Sequence, residues 1–145
     1  MEFNRHISRR LHEEHEATLA LWGRVEATRA RDAGLLSQAA AALAHEVERH
    51  FVFEETELFP RLAAGGEGDI AALLAEEHAT IRAAAKRFIA LAREGRTDAE
   101  ARALALELAE RLFAHVQKEE MSLLPALEEL VDEAADLELT GSYST

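Results

Sequence analysis

Two stretches of this sequence pair histidine with glutamate at a spacing suited to holding metal. Residues 50–60 read His-Phe-Val-Phe-Glu-Glu-Thr-Glu-Leu-Phe-Pro, and residues 115–125 read His-Val-Gln-Lys-Glu-Glu-Met-Ser-Leu-Leu-Pro. Both fit His-x-x-x-Glu-Glu-x-x-Leu-(Phe/Leu)-Pro, 65 positions apart. On a helix, His50 and Glu54 project from one face a turn apart, as do His115 and Glu119. A fainter echo precedes each copy: Leu11-His12-Glu13-Glu14-His15 and Leu74-Ala75-Glu76-Glu77-His78. His15 leads His50 by 35 residues and His78 leads His115 by 37. The chain reads as a duplicated helix pair, each pair carrying one lone His and one His/Glu couple.

Six residues form the candidate site: His15, His50, Glu54, His78, His115 and Glu119. Four imidazoles and two carboxylates, with no cysteine anywhere in the chain, suit first-row metals such as iron, manganese or zinc. A buried carboxylate is costly alone and favourable beside a divalent cation. Each glutamate could bridge two ions while the histidines divide between them, leaving positions open for water or a small ligand. A single His on an apolar stripe is commonly a hydrogen-bonded core residue. Four at matched depth, two with Glu at i+4, point to metal instead. His6, His12 and His45 fall off this pattern and are expected at the surface.

Elements able to position these residues follow from the apolar spacing. Phe3, Ile7, Leu11, His15, Trp22 and Val25 mark a first helix reaching about residue 31, with His15 inside the stripe. Asp32 is an N-cap candidate for a second helix, marked by Leu36, Ala40, Leu43, Val47, His50, Glu54 and Leu58. Pro60 should kink or end it. Residues 65–69 form a loop with Gly65 as C-cap and Asp69 as N-cap. Ile70, Leu74, His78, Ile81, Ala85 and Phe88 mark a third helix, stopped by Gly95. Thr97-Asp98-Ala99-Glu100 reads as a capping box opening a fourth, through Leu104, Leu108, Leu112, His115 and Glu119, with Pro125 as a kink. The expected fold is all-α, an up-down-up-down antiparallel four-helix bundle over residues 1–135. Residues 136–145 lose periodicity and are expected to be a disordered tail.

Counting residues from the loops tests the arrangement. His15 and His50 lie about 17 and 16 residues from the first break, and His78 and His115 about 17 and 18 from the third. Equal counts in an antiparallel hairpin set side chains at one level, roughly 25 Å from the loop at 1.5 Å per residue. The second connection balances less well, with His50 about 15 residues from Gly65 and His78 about 9 from Asp69.

Composition narrows the function classes. The 145 residues suffice for one domain with its own core, and 48% hydrophobic content with seven Gly and two Pro is helical in character. A net charge of −12 argues against nucleic acid. No run approaches the roughly 20 apolar residues of a membrane span, and Met1–Arg10 has no apolar leader core, so a cytoplasmic protein is expected. His12 to His15 is an i+3 pair and His45 to His50 an i+5 pair, so neither is the HExxH of zinc proteases. The Glu-x-x-His of ferritin-like bundles is missing, since positions 42, 47, 75 and 112 are all apolar.

The order His, His-x-x-x-Glu, His, His-x-x-x-Glu over residues 8–127 resembles the hemerythrin-like, or HHE cation-binding, family. The resemblance implies a four-helix bundle with a non-haem centre of two iron ions that meets O2 or, in some members, NO or peroxide. By matching positions it implies His15, His50, Glu54, His78, His115 and Glu119 as ligands. Oxygen-carrying members have a further His one turn after the helix-three ligand, where this chain has Arg82. Their last carboxylate lies five residues after the helix-four His, which here is Glu120, whereas the internal repeat favours Glu119. Arg82 is expected to point at the site or its rim and pair with a carboxylate such as Glu120. Three functions stay open: a binder or sensor of O2 or a related small oxidant, a di-metal oxidase or catalase-like enzyme, and a helical interaction module with structural metal. The one tyrosine lies in the expected tail, so no tyrosine is expected near the site.

Overall fold

Apolar residues at helical spacing, few glycines and aspartates at the helix starts dictate helices throughout. The computed structural model describes residues 2–144. It contains α1 (His6–Ala27), α2 (Ala33–Glu46), α3 (Phe59–Ala64), α4 (Gly68–Arg93), α5 (Ala99–Met121), α6 (Leu123–Leu130) and α7 (Glu133–Ser144), with no strand among the described residues. The chain stays helical between α2 and α3 through two π-helical turns, Val47–Phe51 and Glu54–Leu58. α1 packs on α2 and α5, and α4 packs on α2, α3 and α5.

Asp32 caps α2 by accepting from the Leu35 amide at 3.0 Å. The start of α5 differs from expectation: Asp98, not Thr97, is the cap and accepts from the Ala101 amide at 3.1 Å. Glu100 pairs with Arg87 and Arg96 instead of closing a capping box. At α4 the residue before the helix is Glu67, and Asp69 lies within the first turn, where its charge suits the helix dipole. Gly65 does end α3, and a Cβ there would come within 2.6 Å of the terminal methyls of Leu130 on α6, which would have to turn aside.

Neither proline ends a helix. Pro60 lies in the first turn of α3 and Pro125 in that of α6, where a missing N–H costs no intrahelical bond. The irregularity sits before each of them, in the wide turns ahead of Phe59 and at Ser122, which leaves helical geometry with φ −125°. A π turn takes in more residues than an α turn. The two such turns in the second helical segment therefore absorb part of the surplus residues counted between His50 and Gly65.

The core falls into two apolar clusters. One holds Trp22, Leu36, Leu43, Phe51, Phe88 and Leu108; the other holds Ile7, Leu11, Leu58, Leu74, Leu123 and Leu127. The buried histidines and glutamates lie where these two clusters meet along each helix. Truncating one such leucine to alanine costs about 2–5 kcal/mol, so both ends of the polar layer are firmly held.

Over residues 136–144 the expected tail is a helix instead, and Thr145 lies outside the described residues. α7 packs on α1, burying Asp136, Leu139 and Tyr143, which recur at i, i+3 and i+7. Asp136 accepts from the His6 amide at 2.8 Å and the Ile7 amide at 2.9 Å. A carboxylate thereby satisfies the free N–H groups that open α1.

Candidate metal centre

α1 supplies His15, the first π turn His50, the second Glu54, α4 His78, and α5 His115 with Glu119. All six are buried, none more than 3% exposed. The π turns widen the helix where His50 and Glu54 stand, a local form often found at functional sites. His50 Nε2 lies 3.0 Å from Glu54, and His15 Nε2 2.9 Å from Glu119. His78 Nε2 lies 3.2 Å from Glu54, His115 Nε2 3.0 Å from Glu119, and the two Nε2 atoms 3.0 Å from each other.

The six side chains form two overlapping quartets: His15, His50, Glu54 and Glu119, and then Glu54, His78, His115 and Glu119. Within each, one ligand atom per residue can be chosen so that all lie within 4.8 Å of one another. That spread is close to twice a metal–nitrogen or metal–oxygen bond of roughly 2.1 Å. Phe51 stacks flat on His78, ring centroids 3.8 Å apart, and Phe59 lies 5.2 Å from the same ring, so the α4 side of the layer is walled by aromatics.

A second ring of carboxylates faces the outer nitrogen of each imidazole. His15 Nδ1 donates to Glu120 at 2.7 Å, His50 Nδ1 to Glu14 at 3.0 Å, His78 Nδ1 to Glu55 at 2.8 Å, and His115 Nδ1 to Glu77 at 2.8 Å. An imidazole that spends its Nδ1 hydrogen outward turns the Nε2 lone pair inward, the tautomer a metal ligand requires. Each outer carboxylate is held in turn. Arg82 donates to Glu55 at 2.6 and 2.8 Å, Lys118 and Tyr143 donate to Glu77 and Glu14, and His12 contacts Glu120 at 2.6 Å.

Flanked by carboxylates on both sides, the imidazoles favour positive charge. Burial alone would lower His15, but its hydrogen bonds to Glu119 and Glu120 outweigh this and carry it up to about 9. Burial likewise opposes His78, and Glu119 and Glu54 bring it to about 9. Burial would raise Glu14, but bonds from His50 and Tyr143 take it down to about 2. Glu119, buried and facing His115 and His15, is held well below the usual carboxylate range.

These residues fit a bound cation. Glu54 Oε1 and Glu119 Oε2 are buried without a properly formed hydrogen bond, despite imidazole nitrogens about 3 Å away. Inward lone pairs of nitrogen and oxygen crowd a common centre, where either protons or cations must separate them.

Glu119 lies in the interior, the position the internal repeat favoured, while Glu120 points behind His15. The placements of Arg82 and the tyrosine differ from expectation. Arg82 pairs with Glu55 and not with Glu120. One turn beyond His78 on α4 it faces the same carboxylate that receives the His78 Nδ1 hydrogen, whereas Glu120 lies on the α1 side. His6 and His45 are exposed, and His12 is about a third exposed. Tyr143 lies at the site after all, its ring edge-on to His50 with centroids 6.4 Å apart. Sequence reasoning had assigned no role to Glu14, Glu55 or Glu77. The repeat did mark them, as the Glu just before each lone His and the second Glu of the first couple.

No curated protein and no solved structure gives a significant match to the chain. The family model for the Hemerythrin HHE cation binding domain matches residues 6–127. That stretch contains all six inner residues and all four outer carboxylates, and the chain belongs to the hemerythrin HHE cation-binding domain family.

Proposed function

We propose that His15, His50, Glu54, His78, His115 and Glu119 hold two iron ions, and that this centre binds or senses O2 or a related small oxidant such as NO or peroxide. The observation that carries this is the pair of quartets sharing both carboxylates, Glu54 and Glu119. Each ion would receive two histidines, with the two glutamates common to both. Four imidazoles and two carboxylates without sulfur also suit manganese or zinc, and the family's cation chemistry supports a metal of this class. Iron held there would supply electron exchange with a bound oxidant. The protein's own part is to fix each imidazole tautomer through Glu14, Glu55, Glu77 and Glu120, and to keep the layer dry between two apolar clusters.

The matched family and the long helices joined by short connections support an up-down-up-down four-helix bundle, with α2, the π turns and α3 as its second member. Arg82 favours turnover of peroxide over reversible O2 carriage as a second reading. Its guanidinium is spent on Glu55, so α4 supplies only His78 and leaves the ligand set smaller than in oxygen carriers. An absorption spectrum of aerobically purified, iron-reconstituted protein tests the proposal. A ferric charge-transfer band that changes on adding peroxide is expected. A spectrum without any such band contradicts an oxidant-reactive iron centre.

A further inference from the structure

A cavity of about 300 Å3 opens between α1, α2 and α7, and of the six inner residues only His50 reaches its wall. One part of the lining is apolar: Ala17, Leu21, Trp22 and Ala42. The polar part is Glu14, Thr18, His45, Glu46, Arg49 and Tyr143, together with His50. Tyr143 belongs to α7, beyond the residues that match the family model.

Size and lining select the occupant. A cavity of roughly 150 Å3 lined by apolar side chains takes up benzene, so twice that volume admits one substituted ring beside Trp22. Several donors of the wall are engaged within it. Thr18 Oγ1 donates to Glu46 at 3.2 Å, the Tyr143 hydroxyl donates to Glu14, and Arg49 donates to the Tyr143 carbonyl with its guanidinium 5.1 Å over the tyrosine ring. At the polar end Glu14 already accepts from His50, Tyr143 and Arg10, whereas Glu46 accepts the Thr18 hydroxyl and has an acceptor position left for a ligand hydroxyl. A carboxylate ligand would meet Glu14 and Glu46, and a cationic one would meet Arg49. A neutral hydroxyl donor meets neither conflict.

We propose that the cavity between α1, α2 and α7 binds a small uncharged aromatic alcohol, a single-ring phenol, with its ring among Trp22, Leu21 and Ala42 and its hydroxyl donating to Glu46 beside His50. The proposal goes beyond the metal reading and is tested without it, because binding is measured directly and not through turnover. Phenol is titrated calorimetrically into the full-length protein as purified and again after zinc loading, zinc having no redox chemistry to consume the probe. Saturable one-to-one binding with Kd about 0.1–1 mM is expected for so small a ligand, together with a shift in the NMR signals of Trp22, the chain's single tryptophan. Ala42→Phe and Ala17→Leu each fill the cavity from an exposed helix position, and each should weaken phenol at least tenfold while metal content and helicity stay as in the parent. Glu46→Ala should weaken phenol about tenfold and leave toluene unchanged. Absence of saturable phenol binding overturns the proposal, as does unaltered binding in both filled variants. Tighter binding of benzylamine or benzoate than of phenol overturns the choice of ligand.

Discussion

Replacing Glu55 with alanine separates the orienting role of the outer carboxylates from their surface ion pairs. Glu55 accepts the Nδ1 hydrogen of His78 at 2.8 Å and two hydrogens from Arg82 at 2.6 and 2.8 Å. Without it, the buried His78 ring loses the bond that fixes its tautomer, and its Nε2 becomes a weaker donor to metal. Removing such a partner costs about 10–100-fold in metal affinity, or roughly 1.4–2.7 kcal/mol. The freed Arg82 is 35% exposed and can turn to water, so it adds little to the loss. Arg82→Ala is the matched control, because it deletes a solvent-screened pair worth about 0–1 kcal/mol and leaves His78 with its acceptor. Its affinity should fall by less than about fivefold. Anaerobic competition for ferrous iron against a chromophoric chelator measures both variants, with circular dichroism to confirm the fold. Affinity within twofold of the parent for Glu55→Ala, or equal losses in the two variants, would refute the orienting role.

Four further outcomes are expected. Glu119→Ala should lose most of its metal, since a carboxylate shared by both quartets disappears from a fully buried site, whereas Glu120→Ala should still load but bind more weakly; metal analysis after gel filtration decides, and loss confined to Glu120→Ala reverses the assignment. In metal-free protein the folded His15 and His78 sit near 9 against an ordinary 6.5, so their contribution to stability is complete below about pH 6.5 and disappears as pH rises through about 9. Urea unfolding of chelator-treated protein should give a lower stability at pH 9.5 than at pH 6, and an equal or higher value at pH 9.5 would contradict the placement of these rings between carboxylates. Tyr143→Phe should cost about 1 kcal/mol through loss of the bond to Glu14, and ending the chain after Val131 should cost several kcal/mol by exposing the sites of Leu139 and Asp136; thermal denaturation unchanged in the shortened chain would show that α7 does not support the bundle.

The inner site was legible because helical periodicity and duplication act together. A residue on the stripe must face the core, and equal counts from a loop set it at a level, so the six residues could be brought together from spacing alone. Which outer carboxylate serves which imidazole was not legible. Glu14 adjoins His15 in sequence yet receives the His50 hydrogen, and Glu77 adjoins His78 yet receives that of His115. Such cross-helix pairing depends on rotation of each helix about its axis, which sequence spacing leaves undetermined by a few tens of degrees. Arg82 was misplaced for the same reason. α7 escaped notice because its buried face is only Asp136, Leu139 and Tyr143, one of them charged, while Leu137 on the other side is 67% exposed. Its anchors are polar groups on α1, and a hydrophobic pattern cannot report them. The π turns likewise leave no mark in a pattern built on 3.6 residues per turn.

Metal stoichiometry bears most directly on the central claim, because one ion and two ions use the same residues differently. Plasma mass spectrometry of iron-reconstituted, chelator-washed protein should give about two iron atoms per chain if each of the two quartets sharing Glu54 and Glu119 holds one ion, as proposed. A value of one tightly held ion, or none, would contradict a two-ion centre.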